Sequence, residues 1–115
     1  MDPLFPPSNA EISRKRRELA PEPLAAFRKF SETVFADGAL PGKTKQLIAV
    51  AVAHTTQCPY CIRGHTEAAL RHGASEQEIM EAIWVAAEMR AGGAYAHSAL
   101  AIDVMQRHDA ATRQV

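Results

Sequence analysis

Cys58-Pro59-Tyr60-Cys61-Ile62-Arg63-Gly64-His65 holds the only two cysteines of the chain, spaced C-x-x-C, with a histidine four residues after the second. Pro59 suits the first position of a helix, where its missing N–H would be unpaired anyway. Cys58 then falls at the N-cap and Cys61 in the first turn. The spacings i, i+3 and i+7 set Cys58, Cys61 and His65 on one helical face. A thiol there feels the positive end of the helix dipole, and an imidazole one turn away is placed to take its proton. Both effects lower a thiol from its free pKa of about 8.5. The stretch thus reads as a helix start carrying a thiolate with a second sulfur in disulfide reach. A purely structural cysteine pair is the alternative. The proline, the exclusive use of cysteine here and the histidine one turn on weigh against it.

Working outward, the pattern is helical throughout. Pro3, Pro6 and Pro7 mark an extended lead-in. Ser8 with Glu11 is a capping-box signature for a helix over about Asn9 to Leu19. Its Arg14-Lys15-Arg16-Arg17 run, flanked by Glu11 and Glu18, reads as a solvated face. Pro21 and Pro23 punctuate. A second helix follows with Leu24, Phe27, Phe30, Val34 and Phe35 on its apolar face, ending at Asp37-Gly38. A third runs from about Lys43 to Thr55, buried nearly all round, and packs antiparallel to the fourth. The fourth carries the cysteines and stops at Gly73. Ser75 with Glu78 is a second capping box and opens a fifth helix, which Gly92-Gly93 ends. A sixth runs from about Ala94 to His108. The expectation is an all-α fold of about six helices in one domain spanning 1–115.

With 13 basic and 13 acidic residues among 115, formal net charge is zero. No nucleic-acid stripe or anionic-membrane surface is expected. The N-terminal run lacks the basic-then-apolar pattern of a secretory signal. The apolar run Leu47 to Ala53 is too short to span a bilayer. A cytoplasmic protein is therefore expected, and there a C-x-x-C is more often catalytic or metal-binding than a structural staple. A small domain with so many alanine-faced helices has a limited core, so self-association is expected.

The segment from Lys43 to about Ala101 resembles the alkyl hydroperoxidase D / carboxymuconolactone decarboxylase-like superfamily. The residues that carry the resemblance are Lys43-Thr44-Lys45-Gln46-Leu47-Ile48-Ala49, Cys58-Pro59-Tyr60-Cys61, His65, Gly73-Ala74-Ser75, Glu78-Ile79 and Gly92-Gly93. The cysteine pair places the chain on the peroxidase-like rather than the decarboxylase branch. The resemblance implies a thiol-dependent peroxidase that reduces hydroperoxides. Cys61 would be peroxidatic, Cys58 resolving and His65 the base. It implies no metal or organic cofactor, a dithiol or protein disulfide reductant, and a homo-oligomer, a hexamer first and a trimer second. The family's relay glutamate falls at Gln46, whose amide cannot accept a proton, so the resemblance implies a weakened relay and weak activity. His54, Glu88, His97 and Tyr60 are further candidates for the relay.

Two other classes stay open. His54-x3-Cys58-x2-Cys61-x3-His65 is formally a Cys2His2 metal set, provided the chain bends at Pro59. A non-enzymatic, redox-sensing oligomeric scaffold is the other. A c-type haem site is excluded because Ile62-Arg63-Gly64 separate Cys61 from the histidine.

Overall fold

The computed structural model describes residues 4–113 and, among them, five helices and no strand. Pro3 of the lead-in lies outside the described residues. Helix α1 spans Ala10–Leu19, α2 Pro21–Phe35, α3 Gly42–Thr56, α4 Pro59–Arg71 and α5 Glu76–Arg113. The all-α expectation holds, with one helix fewer than expected.

Local chemistry sets most of the boundaries. Asn9, not Ser8, caps α1: its backbone is extended and its Oδ1 accepts from Ile12 N at 2.9 Å. The Ser8–Glu11 box is therefore not formed: the helix starts one residue later, so the third-position N–H that meets the cap is that of Ile12 rather than Glu11. Pro21 does not merely precede α2 but opens it, in the first turn where a missing N–H is harmless. At the start of α5 the second capping box is present in both directions. Ser75 Oγ accepts from Glu78 N at 3.0 Å, and Glu78 Oε1 accepts from Ser75 N at 2.9 Å. Gly73, with φ of 88°, supplies the left-handed residue that ends α4.

Gly92-Gly93 does not end the fifth helix; α5 runs for 38 residues through it. Glycine in a helix interior costs about 1 kcal/mol relative to alanine, which weakens a helix without breaking it, and strong helix formers flank both residues. Both glycines are half-buried while Ala91, Ala94 and Tyr95 beside them are exposed.

α3 and α4 are antiparallel neighbours, as expected. Gln46 near the start of α3 reaches His65 on α4, and Cys58 N donates to Ala53 O across the connection. Val50, Ala69, Ala74 and Ile79 form the core, with Leu47 and Ile83 packed on it. α3 is not buried all round. Gln46, Val50 and Ala53 are covered, but Ile48 and Val52 are about half exposed, because α4 and α5 cover only one side. Phe27 and Phe30 on the apolar face of α2 are likewise exposed. Beyond Gly93, no described residue of α5 is buried. The radius of gyration is 21.1 Å, against about 13 Å for a compact chain of this length.

Candidate active site

The site is built on the N-terminus of α4. Cys58 is the N-cap, with extended backbone, and its Sγ accepts from Cys61 N at 3.3 Å. Pro59 occupies the first helical turn. This local geometry brings the two cysteines together. Their Cα atoms are 5.2 Å apart and the sulfurs are joined as a disulfide.

One turn along, His65 is held from two sides. Its Nδ1 lies 2.8 Å from Gln46 Oε1. Phe35 at the end of α2 stacks on the ring, with centroids 5.1 Å apart and planes inclined by 25°. Gln46 is 7% exposed and is the one buried polar side chain among the described residues. An amide oxygen accepts only, so Nδ1 is the donor, and in the neutral ring this leaves the lone pair on Nε2. Gln46 thus fixes the tautomer and orientation of the imidazole, though it cannot carry a proton onward.

Cys61 and His65 open into one pocket of about 430 Å³. Val34 and Phe35 form one wall, and Ile48, Val52 and Thr56 of α3 form the other. Cys58 does not line it. Of the two sulfurs, Cys61 is therefore the one a ligand in this pocket meets.

The remaining candidates lie elsewhere. Tyr60 faces Phe5, edge to face at 6.1 Å, and borders a separate hollow with Arg16 and Arg63. His54 turns its Nδ1 to Val50 O of its own helix at 2.8 Å. His97 does the same to Gly93 O at 2.7 Å, and Glu88 is exposed one turn before Gly92. None of these four lines the pocket. Among the described residues no three of His, Cys, Asp and Glu converge as metal ligands, so the Cys2His2 arrangement is not assembled.

Two residues of the site escaped sequence reasoning as functional groups. Phe35 read only as part of an apolar face; its stacking on His65 depends on where the end of α2 comes to rest. Lys45 also lines the pocket, and its Nζ donates to Val34 O at 2.8 Å and Ala36 O at 2.6 Å. Its spacing to Ile48 and Val52, i, i+3 and i+7, was the available signal. Nearby, Lys43 bridges Glu78 at 2.9 Å and ties the start of α3 to the start of α5. The Ser75 backbone N–H, and next the Lys43 ammonium, hold the Glu78 carboxyl below the usual glutamate range.

The fold and site define an all-helical domain with a cysteine pair at a helix start and a histidine one turn beyond it. The sequence profile of the carboxymuconolactone decarboxylase family matches residues 21–103, and the chain belongs to that family. The chain is 64% identical over 86 residues to uncharacterized protein 4 in cox locus of Paracoccus denitrificans, covering 75% of this chain and 78% of that protein. A crystal structure from Methanobacterium thermoautotrophicum superposes with a TM-score of 0.69 at 39% identity, covering 74% of this chain and 98% of its own. A Thermotoga maritima family member, described as a candidate for involvement in an antioxidative response, gives a TM-score of 0.53 at 33% identity. The match covers 56% of this chain and 66% of that one. Among the described residues no helix is long and apolar enough to cross a membrane.

Proposed function

We propose that this chain is a thiol-dependent peroxidase that reduces organic hydroperoxides in the cytoplasm. The observation that carries the reading is the shared pocket. Cys61, partnered by Cys58, and His65, held in one tautomer by Gln46, open together into an apolar pocket of about 430 Å³. The antioxidative description of the Thermotoga maritima relative points the same way.

In the reduced state, His65 Nε2 takes the Cys61 proton. The thiolate attacks the distal oxygen of the hydroperoxide. The S–O bond forms, the O–O bond breaks, and the departing alkoxide takes the proton from the imidazolium and leaves as alcohol. Cys61 is then a sulfenic acid. Cys58 attacks its sulfur, closing the disulfide and expelling water. A dithiol or protein thiol reductant returns two electrons and two protons by exchange. The balance is one hydroperoxide and two thiols giving alcohol, water and disulfide. No step calls on a metal or an organic cofactor.

The test follows thiols and products together. Reduced protein should consume one equivalent of cumene hydroperoxide and lose two thiols, with mass spectrometry placing the bond between Cys58 and Cys61. Cys58→Ser should leave a trappable sulfenic acid on Cys61. Cys61→Ser should reduce the fast phase to background. A fast phase that survives Cys61→Ser would refute the assignment.

A redox-sensing scaffold is the second reading, favoured by the bare second half of α5. We propose that this surface is covered by further copies of the chain, as a hexamer first and a trimer second. Light scattering of oxidised and reduced protein separates the readings. A change of mass with redox state, without hydroperoxide turnover, favours the sensor.

A further inference from the structure

We propose that the pocket binds its ligand as a monocarboxylate, an aliphatic chain whose carboxylate sits on Lys45 while the chain lies along α3 toward Cys61. Three observations meet here. Lys45, Ile48, Val52 and Thr56 all line the pocket and fall on one stripe of α3. From Lys45 to Thr56 that stripe runs roughly 16 Å along the helix axis, at 1.5 Å per residue. It is apolar between its ends, so a groove of this shape takes an extended hydrocarbon chain. Cys61 and His65 face the same space.

The second observation is charge. Lys45 has no carboxylate within 4 Å among the described residues, unlike Lys43, which is paired with Glu78. Its partners are the carbonyls of Val34 and Ala36 at the end of α2. A helix C-terminus carries about half a negative charge, so the ammonium is only partly compensated.

The third is donor count. An ammonium has three N–H donors, and two are already spent on the carbonyls. One remaining donor and a fractional positive charge match a single carboxylate. A phosphate monoester carries nearly two charges and three acceptor oxygens, which would be left largely unpaired. The ammonium is thus both a clip for the end of α2, which carries Phe35 onto His65, and an anchor for an acid at the mouth of the groove. The inference builds on the peroxidase reading for what becomes of the ligand, a carboxylated alkyl hydroperoxide. Whether a carboxylate binds is independent of turnover.

The probes are unreactive: octanoate, 1-octanol and octyl phosphate, titrated calorimetrically into the reduced full-length protein. Octanoate should bind at least about tenfold more tightly than octanol, the ratio one charge-assisted hydrogen bond supports. Octanoate should also slow alkylation of Cys61 by iodoacetamide. Lys45→Met should erase the acid-over-alcohol preference, and Lys45→Arg should keep it. If Lys45→Met unfolds through loss of the α2 clip, the salt dependence of the wild-type protein decides. Octanoate affinity should fall with added salt while octanol affinity does not. Equal affinities, a preference that survives Lys45→Met, salt-independent octanoate binding, or binding that leaves Cys61 unprotected would each overturn the inference. Tighter binding of octyl phosphate would overturn the monocarboxylate. Failure of hydroperoxide turnover with the octanoate preference intact would sink the peroxidase reading alone.

Discussion

Two alanine-rich stretches of this chain meet opposite fates. Ala68, Ala69, Ala74 and Ala86 lie buried where α3, α4 and the first half of α5 meet. Ala94, Ala96, Ala99 and Ala101 lie exposed on the second half of α5, beside Tyr95, Leu100 and Val104. Alanine permits close helix contact but does not choose a partner. In the first region the turns at Gln57-Cys58 and Gly73 bring partners back within the chain. In the second, α5 continues past the core by roughly 30 Å at 1.5 Å per residue, and none of its described residues is buried. Helices in proteins draw most of their stability from tertiary packing, and this stretch gains little of it from its own chain. The candidate site follows the same division: Cys61, His65 and Gln46 belong to the first region, and His97 stands on the second.

The largest expected effect separates the two histidines. His65→Ala should slow hydroperoxide reduction by about 10²–10⁴-fold, the range for losing a positioned acid–base group. His97→Ala should leave the rate within a factor of two or so on the same scale. Reversal of that order in stopped-flow assays would move the proton path to α5 and break the division.

Next comes a pair of valines. Val50 is fully buried, so Val50→Ala should cost about 2 kcal/mol in denaturant unfolding, leaving the assembly mass unchanged. Val104 is 65% exposed in the single chain. If further copies cover it, Val104→Asp should shift light scattering toward smaller species while circular dichroism keeps its helical signal. An unchanged mass would show that the second half of α5 is not the contact.

Gln46→Glu should sharpen the view of the first region. A carboxylate beside His65 Nδ1 would stabilise the imidazolium that forms when Cys61 loses its proton, and the rate should rise several-fold. An unchanged rate would mean that orientation of the ring, which the amide already supplies, is all this position contributes.

The smallest effect concerns the Lys43–Glu78 bridge at the edge of the core. Folding lowers the Glu78 pKa, through the Ser75 N–H and Lys43. Its contribution is therefore present in full above the unfolded value and is lost as pH falls through the lower folded value. Glu78→Gln should flatten the acid limb of the stability profile, with little change near neutrality. An acid limb identical to wild type would mean that the bridge adds nothing measurable, as is common for half-exposed pairs.

Much of the site was legible because it is local. Cys58 as N-cap, Pro59 in the first turn and the cysteines in disulfide reach all follow from residues three apart, and so does the Ser75–Glu78 box. Gln46 was legible only through the family resemblance, since it lies nineteen positions from His65 in the chain. The misreadings arose where a local signal had a rival. Ser8 and Asn9 are both good caps, one position apart, and the helix starts after the second. The paired glycines looked like a stop, but they stay in a helix that good formers hold on either side.

From its sequence alone the chain determined its helical class, its start and stop chemistry, and a thiol pair with an imidazole one turn on. Those depend on interactions within a few residues, which period and side-chain type encode directly. Only the tertiary structure decided that Gln46 fixes the imidazole and that Phe35 stacks on it. It also decided that Cys61 rather than Cys58 lines the pocket, and that Lys45 lines it too, with no acidic partner among the described residues. Each of these depends on how α2, α3 and α4 come to rest against one another. Helix packing sums many weak apolar contacts, and no single residue in the sequence announces the result.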